Sequence, residues 1–114
     1  MPKRRPRLDP VFRALADPTR RAVLERLARS PATVSDLARQ HDMALPSFLQ
    51  HLQVLDDCGL VRSRKAGRVR TYALVPRPLQ QAEEWMAGQR ALWERRLAQL
   101  DAYLVRLHGK EPGS

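Results

Sequence analysis

The apolar positions fall into short runs at helical spacing, each opened by a polar or proline signal. Asp9-Pro10 predicts a helix start, because Asp accepts a hydrogen bond from free amides and Pro fits the first helical position without wasting a donor. Val11, Phe12 and Leu15 form its apolar stripe. The same device recurs at Asp17-Pro18, ahead of Val23, Leu24 and Leu27, and Ser30-Pro31 breaks this second helix after about Arg29. Thr33 followed by Asp36 has the form of a capping signal, and predicts a short helix that turns Val34, Leu37 and Ala38 inward. A tight turn at Asp42-Met43-Ala44 leads into a fourth helix, Leu45 to Cys58. Its buried stripe is read as Leu45, Phe48 or Leu49, Leu52 and Leu55, with Gly59 as the left-handed residue that ends it.

Beyond Gly59 the period changes from about 3.6 to 2. Val61 and Ser63 alternate with Arg62 and Arg64, and after Ala66-Gly67 the residues Val69, Thr71 and Ala73 alternate with Arg68, Arg70 and Tyr72. This predicts a β-hairpin with one face studded by arginine. From Pro78 to about Leu107 runs a long helix, with Gly88 as its weak point. Met86, Trp93, Leu100 and Leu107 repeat every seven residues along it, flanked by Leu97 and Leu104 and by Trp85, Leu92 and Tyr103. So broad a stripe exceeds what a small helical core covers, and it predicts a partner helix.

Length sets one compact domain, since the chain has 114 residues and a domain takes roughly 100–150. The expected organisation is a disordered basic arm at 1–8, a folded domain at 9–107 and a tail at 108–114. With 43% hydrophobic but only 5% aromatic residues and five glycines, the fold class is mainly α with a small β-hairpin. No stretch approaches the ~18 apolar residues of a membrane span, and the opening Met-Pro-Lys-Arg-Arg-Pro-Arg is not a secretory signal. No membrane partner is expected, and the expected location is the cytoplasm. Cys58 alone excludes an internal disulfide, and with three histidines leaves little from which to build a metal site. No metal and no cofactor are expected. Nor does any nucleophile–base–acid set or phosphate loop suggest an enzyme.

Charge changes the picture most. Lys and Arg number 21 against 12 Asp and Glu, a net charge of +9, so polyanions are the natural partners. Lys3, Arg4, Arg5 and Arg7 form the arm, and Arg62, Arg64, Lys65, Arg68 and Arg70 crowd together without an acid among them. The outward face of helix 45–58 carries Pro46, Ser47, Gln50, Gln53 and Asp57. Short helices, the last amide-rich on its exposed face, followed by a basic hairpin, make the order of a winged helix-turn-helix. The major groove admits one helix, so helix 45–58 can enter it while hairpin 61–75 lies along the backbone. Gln pairs bidentately with adenine and Ser meets several base edges, which makes Ser47, Gln50 and Gln53 candidate base readers, with Ser35 on the preceding short helix. Arg64, Lys65, Arg68 and Arg70 would hold phosphates or reach the minor groove.

Four runs carry a resemblance: Ala14 through Leu27 (ALADPTRRAVLERL), Thr33 through Ala38 (TVSDLA), Met43 through Leu55 (MALPSFLQHLQVL) and Cys58 through Arg62 (CGLVR). Together they resemble the ArsR family of bacterial transcriptional regulators. The ending Leu92 through Leu104 is similar to a non-metal branch, often encoded beside START-like domain proteins. The resemblance implies a homodimeric repressor of double-stranded operator DNA, paired through its first and last helices. The interface would then hold Phe12, Leu15, Trp85, Met86, Trp93, Leu97, Leu100 and Leu104. It also implies a phosphate contact from His51, which matches the family's His-Leu pair. In metal-responsive members cysteines occupy the helix corresponding to Thr33-Val-Ser-Asp-Leu, where this chain has Thr33 and Ser35. The family's second metal site uses Asp and His on the last helix, and Asp101 and His108 lack a companion set here. Ala44 replaces the Ser common at the start of the reading helix, and Leu49-Gln50 replaces Ser-Lys.

Other readings of the same surface are architectural DNA binding without operator preference, and an RNA- or protein-binding winged helix. RNA would call for exposed aromatics, and the hairpin offers only Tyr72. Trp85, Trp93 and Tyr103 give apolar walls between which a small-molecule effector has room. Operator sequence, inducer, redox behaviour of Cys58 and any activating role are not written in the chain.

Overall fold

A computed structural model describes residues 8–109, so the basic arm at Lys3, Arg4, Arg5 and Arg7 and the tail from Lys110 onward lie outside the described residues. The elements in chain order are α1 (Leu8–Leu15), α2 (Pro18–Leu27), β1 (Ala32–Thr33), α3 (Val34–Ala38), α4 (Leu45–Asp57), β2 (Val61–Ala66), β3 (Val69–Leu74) and α5 (Pro76–Gly109). The result is a winged helix-turn-helix with a long last helix. Two compact units divide it, one ending at Ala82 and the other beginning at Glu83.

Local chemistry accounts for the helix ends. Asp17 accepts from the Arg20 amide at 3.0 Å and Thr33 from the Asp36 amide at 3.1 Å, each capping the helix that follows. The Asp36 carboxylate turns instead to Arg39. Ala44 leaves α4 with no side-chain cap, a loss of about 1 kcal/mol relative to Ser. At the other end Gly59, with φ +80°, lets its own amide reach Asp56 O and the Leu60 amide reach Leu55 O, both at 3.0 Å. This paired return satisfies orphan carbonyls of α4, and both Leu55 and Leu60 are buried beside it.

The first unit packs around Val23, Leu37, Phe48, Leu52, Leu55, Leu60 and Val61, all fully buried, with Val11, Leu24, Leu27 and Tyr72 completing the cluster. The expected α4 stripe narrows to Phe48, Leu52 and Leu55. Leu45 and Leu49 are 52% and 41% exposed, because Leu45 is the first residue of the helix and Leu49 lies about 100° round the axis from Phe48. Phe12 and Leu15 are half-buried against the core.

Strand order is β1-β3-β2, antiparallel throughout. The two-residue strand β1 is too short for any periodicity to announce. Its register, Ala32 against Tyr72, places Tyr72 in the core at 8% exposure. That corrects the expected hairpin: Tyr72 belongs to the inward face with Val61, Ser63 and Leu74, while Val69 is exposed. Cations accordingly lie on both faces, Arg62 and Arg64 opposite Ala73 and Thr71, and Lys65 opposite Arg70. Helix α5 begins two residues earlier than Pro78, since prolines in a first turn forfeit no hydrogen bond, and continues through His108 and Gly109 rather than ending at Leu107. Among the described residues from Glu83 onward none is buried. Among the described residues no helix is long and apolar enough to cross a membrane.

Candidate nucleic-acid interface

Helix α3, the turn at 39–44 and helix α4 set two successive helices at the surface, with β2 and β3 following directly. Pro46, Gln50, Gln53 and Asp57 run down the outward line of α4 at helical spacing, all exposed. The side chains of Gln50 and Ser47 have no hydrogen-bond partner among the described residues, and both residues are exposed, so their side-chain donors and acceptors face water. Gln53 donates through Nε2 to Asp57 Oδ1 at 2.7 Å, which occupies part of its amide and sets a carboxylate at the far end of the face. Ser35 is exposed on α3.

The hairpin closes through Gly67-Arg68, with Gly67 at φ +62°, the left-handed geometry that such a two-residue turn requires. Arg62, Arg64, Lys65, Arg68 and Arg70 are all exposed. No Asp or Glu occurs between Asp57 and Glu83, and none of the five has an acidic partner among the described residues. Arg70 instead donates through Nη1 to Ser63 Oγ at 2.7 Å. Lys65 sits directly across from Arg70 in the ladder, and like charges directly opposite are destabilising.

His51 lies half-buried on the side of α4. Its Nδ1 is 3.3 Å from Arg20 Nη1 and 3.7 Å from Asp17 Oδ2. Arg20 also donates through Nε to Ala14 O at 2.8 Å and through Nη2 to Arg13 O at 3.0 Å, while Arg21 reaches Leu15 O at 2.8 Å. These are the terminal carbonyls of α1, which have no partner within their own helix. Arg20 thus ties α1, α2 and α4 together, a role the sequence reading missed, because an arginine's bonds to distant carbonyls leave no periodic trace. Partial burial works against ionisation of Asp17, yet the Arg20 amide, the His51 ring, the Arg20 guanidinium and the Thr19 amide together hold its carboxyl below the ordinary carboxylate value.

Cys58 is half-buried, with Sγ 3.5 Å from Leu55 O. Burial pushes its thiol up, against the lowering effect of backbone hydrogen bonds and Arg20 and with the help of Asp57. Thr33 Oγ1 is committed to capping α3. Among the described residues no group of three or more His, Cys, Asp or Glu stands close enough to hold a metal ion. Trp85, Met86, Trp93, Leu97, Leu100 and Leu104 are all exposed along α5, Trp93 by 63%, and the Arg106 guanidinium lies over the Tyr103 ring at 5.9 Å.

Comparison with known proteins agrees with this architecture. Residues 15–64 match the family described as a helix-turn-helix domain. The chain is 48% identical over 68 residues to the HTH-type transcriptional regulator Rv2034 of Mycobacterium tuberculosis, covering 60% of this chain and 64% of that protein. It is 32% identical over 79 residues to the transcriptional repressor SdpR of Bacillus subtilis, covering 69% of this chain and 88% of the repressor. A crystal structure of the ArsR family transcriptional regulator RHA00566 superposes with a TM-score of 0.76 at 54% identity, over 82% of this chain and 97% of that one. The chain belongs to the ArsR family of helix-turn-helix transcriptional regulators, which are not enzymes.

Proposed function

We propose that the protein is a homodimeric repressor that binds operator DNA in the cytoplasm, on the nucleoid, with α4 in the major groove and the β2–β3 hairpin on the sugar-phosphate backbone. The observation that carries this reading is the cross-strand pair Lys65 and Arg70. A hairpin that opposes two cations with no acid nearby stores repulsion that a polyanion relieves. Next to it α4 presents Ser47 and Gln50, groups that pair with base edges. The burial of Tyr72 removes the hairpin's one aromatic ring from any stacking role, which favours duplex DNA over single-stranded RNA.

The dimer reading rests on α5, where the stripe from Trp85 through Leu104 is exposed and repeats at the seven-residue period of paired helices. A second copy would cover it. The commitment of Thr33 Oγ1 to capping α3 supports a branch of the family that does not sense metals. Titrating the full chain into labelled duplex DNA selected from a random pool, alongside light scattering, tests the reading. The expected result is a preferred sequence bound by a particle of about twice 13.1 kDa. A monomer that binds all duplexes equally would contradict it.

A further inference from the structure

Among the described residues of the first unit the large apolar side chains left exposed are Leu45, Leu49 and Val54 on α4 and Val69 on β3. All of them lie on the two elements assigned above to DNA. Val54 borders the groove formed with Pro10, Arg13, Asp57 and Cys58, away from the start of the helix. Leu45 and Leu49 stand one turn apart in the N-terminal half of α4, and Leu49 is the immediate neighbour of Gln50. Two exposed leucines on a reading helix need an apolar counterpart, and the major groove offers one: the C5 methyl group of thymine. The acid-free stretch from Cys58 through Ala82, with its five hairpin cations, argues for DNA over an apolar protein surface as what covers them.

We propose that Leu45 and Leu49 read thymine methyl groups, so that each half-site carries A·T pairs beneath the first two turns of α4, with Gln50 taking an adenine beside them. This rests on the DNA-binding reading above and adds to it the base composition that the helix selects. Polar side chains at these positions would favour hydrogen-bonding edges; leucine favours a methyl and nothing else in that groove.

The test deletes only the methyl. Duplexes selected from a random pool by the full chain are resynthesised with deoxyuridine in place of each thymidine in turn, which leaves every hydrogen-bonding group in place. Removing a methyl that Leu49 or Leu45 covers should weaken binding by about fourfold, the equivalent of one buried carbon group. Leu49→Ala and Leu45→Ala, both at exposed positions, should keep their circular-dichroism spectra and lose the ability to tell thymidine from deoxyuridine at the position each covers. Equal affinity for every deoxyuridine duplex overturns the proposal, as does an unchanged thymidine preference in both variants. A strong preference for a site with only G·C pairs under α4 overturns this proposal while leaving sequence-specific binding intact. A pool that yields no preferred sequence overturns both.

Discussion

Arg20 Nη1 lies 3.3 Å from His51 Nδ1, and that contact joins the start of α2 to the middle of α4. The same ring nitrogen lies 3.7 Å from Asp17 Oδ2, so a guanidinium, an imidazole and a carboxylate meet at one junction between the two helices. The same guanidinium caps the end of α1 through Arg13 and Ala14 carbonyls. Replacing Arg20→Met keeps much of the hydrocarbon stem and removes all three bonds. The expected loss is about 2 kcal/mol, given the part-exposed setting, read as a lower urea midpoint at unchanged m-value. A midpoint equal to that of the wild type would remove Arg20 from its place as a strut.

Asp17 predicts how stability responds to acid. Its carboxyl is held below the ordinary value in the folded protein, so the folded state favours the ionised form. That contribution is fully present above the unfolded carboxylate pKa of about 3.9 and is lost as pH falls through the lower folded value. Asp17→Asn keeps a capping oxygen but cannot ionise. Its stability should therefore fall less steeply than the wild type's below about pH 4, in thermal melts recorded across the acid range. Superimposable acid limbs would contradict the assignment.

Legibility in the sequence followed the range of the signal. Caps at Asp17 and Thr33, the glycine stop at Gly59 and the hairpin at 61–75 are written in a few adjacent residues, and the structure places each of them where those residues indicate. Side-chain direction in β3 depends on a third strand, β1, of only two residues, and local alternation cannot reveal that Ala32 pairs with Tyr72. Leu45 and Leu49 are apolar by type, and only the packed core shows that Phe48, and not they, takes the inward position. Arg20 and its carbonyl acceptors are six and seven residues apart with no repeating pattern. That the hairpin cations and the polar residues of α4 are exposed was legible as a set; the Arg20 strut was not.

The opposed cations of the hairpin give a prediction with two signs. Lys65→Glu places a carboxylate across from Arg70, which should stabilise the free protein by about 0.2–1 kcal/mol and weaken DNA binding. Denaturation without DNA and fluorescence anisotropy with a labelled duplex measure the two effects on one preparation. A variant that is both less stable and bound as tightly as before would remove the reason for reading this surface as a phosphate clamp.

Cys58 and the caps around α3 predict indifference to thiol reagents and metals. With its thiol pushed up by burial, Cys58 should react with iodoacetamide at pH 7 more slowly than free cysteine. Zinc, cadmium or arsenite should leave the affinity for DNA unchanged in gel shifts. A tenfold release at stoichiometric metal would reveal a site formed by residues not recognised as ligands.

The division of labour between α4 and the hairpin is tested most directly by measuring Gln50→Ala and Arg68→Ala on a selected operator and on random duplex DNA across a range of salt. Arg68→Ala should weaken both to a similar extent and make the slope of log K against log salt shallower by about one, because a protein that neutralises one phosphate fewer releases one counterion fewer on binding. Gln50→Ala should cost about 1–3 kcal/mol on the operator and little on random DNA, at unchanged slope. Equal losses on both duplexes for Gln50→Ala, with a shallower slope, would mean that α4 holds the backbone and does not read the sequence.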